Sequence, residues 1–90
     1  MIDRNFVIKN ENYETEKDLI PRLFDNEDYK LLENVDMYDI LKIAGIFSSK
    51  GEARKNWKRT KQEIPKGYSE FRDIGKLHNQ IFIFNPIKTK

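Results

Sequence analysis

The 90-residue chain contains no cysteine and only one histidine, so disulfides, thiolate metal sites and His-rich metal sites are excluded. Its four glycines stand apart at Gly45, Gly51, Gly67 and Gly75. No glycine-rich loop is therefore present that could cradle a phosphate. The acids at Asp25, Glu27, Asp28, Asp36 and Asp39 lack the alternating ligands, central glycine and closing glutamate of a calcium loop. Capping and solvation are their expected roles. His78 has no serine or cysteine nucleophile in register and no second histidine, so no catalytic pair is visible. A non-enzymatic protein with no cofactor, no metal and no small-molecule substrate is expected. No apolar run approaches the ~20 residues of a membrane-spanning helix, and Met1-Ile-Asp-Arg-Asn5 lacks the basic-then-apolar plan of a signal peptide. A cytoplasmic protein without membrane contact is the matching expectation.

What is present is aromatic side chains and unevenly distributed charge. Six Phe, four Tyr and one Trp are enough to build much of the core of one small domain spanning residues 1–90, and they argue against a disordered chain. The formal net charge is only +2. Residues 1–40 nevertheless carry five Lys/Arg against eleven Asp/Glu, a net of −6, and residues 41–90 carry twelve against four, a net of +8. Such polarity suits a polyanionic partner for the basic half, or pairing of the two halves with each other.

Periodicity and punctuation divide the chain into an acidic helical part (1–44), a basic helix (49–60), a β part (64–86) and a loose tail (87–90). Residues 4–9 form a short apolar run that reads as an edge strand. Thr15 to Asp18 and Asp25 to Asp28 are two helix-start signals, with Pro21 confined to a first helical turn. Tyr29 to Asn34 continues as helix, so one bent helical region or two short helices are expected. Asp36 is the predicted N-cap of the next helix, with Asp39 at N3. In that helix Met37, Ile40, Leu41 and Ala44 recur at the spacing of a buried stripe. Pro65 and Gly67 mark a loop. Tyr68 to Ile74 and Gln80 to Asn85 are predicted strands around a turn at 75–79, hence a hairpin. Ile81 and Ile83 would face one way, Phe82 and Phe84 the other.

The stretch Ala44 to Thr60 joins these parts. Gly45 stands where a helix end needs a left-handed residue. Ser49 and Glu52 have the spacing of a capping box, so a second helix is expected from Lys50. From Lys50 to Lys61 there are six cations and one acid. Lys50, Arg54, Lys58 and Lys61 share one helical face, with Lys55 and Arg59 beside them. Ala53 and Trp57 point elsewhere and can dock on a core. A cationic face with no acidic counterweight suits backbone phosphates, because each contact releases condensed counterions. Asn56 is the lone amide inside it, so reading of base edges is not indicated. Tyr68 and Phe71, beside Lys66 and Arg72, could stack on bases but are expected to pack in the core or the loop.

The run Asp39-Ile-Leu-Lys-Ile-Ala-Gly-Ile-Phe-Ser-Ser-Lys-Gly-Glu-Ala-Arg54 resembles the signature of S4-type RNA-binding domains, over about residues 37–59. The resemblance implies an apolar helix, a glycine turn and a basic helix that binds structured RNA. That family continues into a strand reading approximately Gly-x-Val-x-Val-Asn-Gly, whereas this chain reads Thr60-Lys-Gln-Glu-Ile-Pro-Lys-Gly-Tyr-Ser-Glu-Phe71. The expectation is an α+β domain in which an αα corner packs on a C-terminal β-hairpin, with an amino-terminal strand able to add to its edge. Its expected function is nucleic-acid binding through Lys50, Arg54, Lys55, Lys58 and Arg59, extended by Lys61 and Lys66. The alternative is a small regulator, inhibitor or adaptor that docks on a protein partner through its charge asymmetry.

Overall fold

The computed structural model describes residues 2–57 and 62–88. The chain forms β1 (Asp3–Ile8), α1 (Tyr13–Glu16), a 3-10 turn (Lys17–Leu19), α2 (Ile20–Leu23), β2 (Lys30–Leu32), α3 (Met37–Ile43), α4 (Lys50–Asn56), β3 (Gly67–Ile74) and β4 (Asn79–Asn85). The four strands make one sheet in the order β2-β1-β4-β3. β3 and β4 are the antiparallel C-terminal hairpin, and β1 runs parallel to both β4 and β2. The fold is α+β, with the αα corner of α3 and α4 packed on the sheet that contains the hairpin.

The amino-terminal strand adds to the hairpin along β4, but it is not the last strand. Phe6, Val7 and Ile8 are consecutive and all buried, the signature of a strand covered on both faces rather than of an amphipathic edge. β2 lies beyond it. Residues 30–32 are thus extended, not helical as the sequence suggested. A short pair of apolar residues, Leu31 and Leu32, makes no helical stripe, whereas three residues beside β1 satisfy that strand's open N–H and C=O groups and bury Leu32 next to Ile8. The helical region before it ends at Phe24, after which Asp25 and Asn26 both take positive φ. Pro21 sits in the first turn of α2, where its missing N–H costs nothing.

Helices cover the two faces separately. On one side Phe6, Ile8, Ile81 and Ile83 meet Met37, Ile40, Leu41 and Ala44 of the α3 stripe together with Ala53 and Trp57. On the other, Val7 and Phe84 meet Ile20 and Phe24. The alternation expected in β4 is therefore present, with isoleucines on one face and phenylalanines on the other. In β3 one extra residue between Phe71 and Ile74 forms a bulge, with Asp73 at φ 61°. The bulge moves Ile74 onto the same face as Phe71, where it is fully buried. The bulge lets Phe71 and Ile74, three apart in sequence, share a face.

Trp57 is 5% exposed and meets Phe71 edge-on, with ring centroids 5.5 Å apart at 81°. The indole is thus the bolt between α4 and the hairpin. Trp57→Ala is expected to destabilise the domain by about 3–5 kcal/mol in urea unfolding, while Tyr68→Ala, on the opposite face and 39% exposed, should cost much less.

Candidate nucleic-acid interface

The corner that carries the basic residues is fixed by its helix ends. Asp36 caps α3 and forms a complete capping box, accepting from the Asp39 amide at 2.9 Å while the Asp39 carboxylate accepts from the Asp36 amide at 3.0 Å. At the other end Gly45, at φ 85°, donates to the Lys42 carbonyl and Ile46 donates to the Leu41 carbonyl. These two bonds are the Schellman pair. Ser49 caps α4 by accepting from the Glu52 amide at 3.1 Å. Only half of the predicted box forms there, because the Glu52 carboxylate accepts from the Asn56 amide at 2.9 Å instead.

The basic helix is shorter than the sequence suggests. It ends at Asn56, and Trp57 is already extended, with φ −123° and ψ 102°. The Trp57 indole is held in the core, and the Gln62 carbonyl accepts from the Met37 amide at 2.9 Å. Of the row Lys50, Arg54, Lys58 and Lys61, only Lys50 and Arg54 stand on α4, while Lys58, Arg59 and Lys61 lie outside the described residues.

Lys50 also has the acidic counterweight that the sequence did not suggest. Its ammonium lies 3.0 Å from Asp36 and 3.5 Å from Asp39, so the two N-terminal carboxylates of α3 tie the start of α4 to the start of α3. Asp36 further accepts from the Gln62 side chain at 2.7 Å. Burial pushes the Asp36 carboxyl up. The Asp39 backbone amide, the Gln62 amide and the Lys50 ammonium outweigh it and hold the group at about 2. In turn the Asp36 carboxylate raises Lys50.

Arg54 and Lys55 are exposed in the last turn of α4. The Arg54 guanidinium lies 5.4 Å from the centroid of the Tyr38 ring on α3, a cation–π contact that fixes its direction without neutralising it. Lys66 is exposed at the rim of a groove of about 640 Å³ that Asp36, Gln62 and Glu63 also line. Of the described cations between 50 and 66, Lys50 is paired with carboxylates, Lys66 shares a groove with Asp36 and Glu63, and Arg54 and Lys55 are exposed. No family model, no curated protein and no solved structure matches the chain. What this surface can do is set by its own geometry.

Several polar pairings have no clear sequence signal. Arg72 bonds Glu70 at 3.0 Å and Gln80 at 2.9 Å, and its guanidinium lies 5.2 Å from the Phe82 ring. His78 meets Asp73 across the hairpin turn, with both side chains well exposed. Tyr68 and Phe71 do not form one platform, because Phe71 packs against Trp57 while Tyr68 lies beside Phe24 on the other face, 6.0 Å between centroids. Among the described residues no group of three or more His, Cys, Asp or Glu could hold a metal ion, and no helix is long and apolar enough to cross a membrane.

The Asp36 cluster has a definite pH signature. Its folded pKa lies below the ordinary 3.8, so its contribution is fully present above about pH 4 and is lost as pH falls towards about 2. Asp36→Ala should cost roughly 1–2 kcal/mol at neutral pH. In urea titrations at stepped pH, the gap between it and the native chain should close between about pH 4 and pH 2.

Proposed function

We propose that the chain is a non-enzymatic nucleic-acid-binding module, preferring RNA to DNA, that grips backbone phosphates with the carboxy-terminal turn of α4 and the residues after it. One observation carries the reading. Ala53 and Trp57 are buried while Arg54 and Lys55 are exposed, so the helix is docked by its apolar pair and presents cations outward. Lys58, Arg59 and Lys61 follow directly in sequence and extend the same charge, and Lys66 flanks it. Lys50 takes a different part. Held by Asp36 and Asp39, it positions α4 rather than meeting phosphate. The preference for RNA comes from the resemblance to S4-type domains, supported locally by an apolar helix, a glycine C-cap and a serine-capped basic helix in that order.

The second reading, a small protein-binding regulator that docks by its charge asymmetry, is favoured by the exposed acids Asp18, Glu27 and Asp28. They line one groove beside α2 together with Tyr13 and Tyr29. Nuclease treatment separates the readings, since retention through RNA is lost with the RNA and retention on a protein is not.

Binding of a structured RNA hairpin, titrated at several salt concentrations, should weaken steeply as salt rises. Arg54→Ala/Lys55→Ala should lower the slope of log affinity on log salt by about two. A slope near zero, or an unchanged slope in the double variant, removes the reading.

A further inference from the structure

We infer that the groove beside α2 is a docking site for an arginine side chain on a basic segment of a partner protein. The inference rests on the protein-docking reading of that groove. It is independent of the RNA reading, because α2 packs on the Val7 and Phe84 face of the sheet and α4 on the other.

The groove encloses about 490 Å³, the size of sites that take small ligands. Tyr13 and Tyr29 line it, and a hydrogen bond with Tyr13 raises the Tyr29 phenol, so the two rings stand together. Phe24 backs Tyr29, with centroids 6.3 Å apart and planes at 31°, and Tyr29 is still 40% exposed. An aromatic face of this kind attracts a cation through its quadrupole. Asn5 donates to the Asp28 carbonyl at 3.1 Å, so the segment that carries Tyr29 is tied to β1 and the wall is formed in advance of any partner.

Charge selects the occupant. Asp18, Glu27 and Asp28 line the same groove, and among the described residues none of them is in an ion pair. Lys17 lines it too, but its ammonium lies 2.8 Å from Glu14, so its charge is already met. Carboxylates in that excess repel nucleic-acid phosphates and attract a cation. Arginine fits the combination better than lysine, since its planar guanidinium can lie on a tyrosine ring while its N–H groups donate in pairs to a carboxylate. Its methylene stem finds apolar surface at Pro21.

Nuclear magnetic resonance titration with the capped peptide Gly-Arg-Gly-Arg-Gly tests the site. The amides of residues 13–18 and 26–29 should shift, and those of α4 should not. Asp18→Asn/Asp28→Asn should weaken binding about fivefold and Tyr29→Leu about threefold. All three positions are exposed, so the fold tolerates these changes. Arg54→Ala/Lys55→Ala should leave peptide binding unchanged. The same peptide with citrulline, which keeps the shape of arginine without its charge, should not bind, and the lysine peptide should bind more weakly. Absence of shifts at these residues overturns the inference, as do equal binding of the citrulline or lysine peptide and unchanged binding in the Asp18→Asn/Asp28→Asn variant. If a protein partner survives nuclease treatment while the arginine peptide leaves the groove unshifted, the docking reading stands and this ligand alone is removed.

Discussion

Three consecutive apolar residues, Phe6, Val7 and Ile8, are all buried, and a strand can hide all three only if both its faces are covered. β1 alternates its side chains between faces, so Phe6 and Ile8 need one apolar layer and Val7 another. β4 imposes the same demand with Ile81, Ile83 and Phe84. The helices are divided accordingly, α1 and α2 to one side, α3 and α4 to the other. The parallel pairing of β1 with β2 and with β4 requires crossover connections, and these helices lie in them. From that constraint the position of the αα corner follows, and with it the direction in which Arg54 and Lys55 leave the surface.

The corner itself is held by charge and capping as much as by apolar contact. Asp36 ends one helix's exposed amides, neutralises the first cation of the next helix and receives Gln62. A single carboxylate thus gathers three separate parts of the chain. Among the described residues the acidic and basic halves meet where Lys50 reaches Asp36 and Asp39. The Lys50 contact is partly exposed and of the kind that contributes little alone, so its role is to orient. The cations farther along α4 keep their charge facing outward.

Much of this was legible in the residues. Asp36, Gly45 and Ser49 announced three helix ends correctly, because caps are local chemistry that acts within four residues. The α3 stripe, the hairpin and the alternating faces of β4 were likewise visible, since each depends on a short-range period. The misreadings have one origin. Tyr29 to Asn34 looked helical because nothing local shows that β1 needs a neighbour. The basic helix seemed to run to residue 60 because its charge pattern continues, whereas Trp57 leaves the helix where its indole enters the core. Lys50 seemed to be a free cation because its carboxylates lie eleven and fourteen positions away, beyond the reach of helical spacing.

By itself, the sequence determined which segments could start and stop, which residues were apolar enough to be inside, and that cations crowd the middle of the chain while acids crowd its beginning. These are properties of composition and of neighbours within one turn or one hairpin. Only the tertiary structure decided the sheet order, the extended state of β2, the end of α4 and the division of the cations into one that braces the fold and others that face solvent. Each of those outcomes depends on contacts between residues distant in sequence, where the satisfaction of buried backbone groups and the seating of one large indole override local preference.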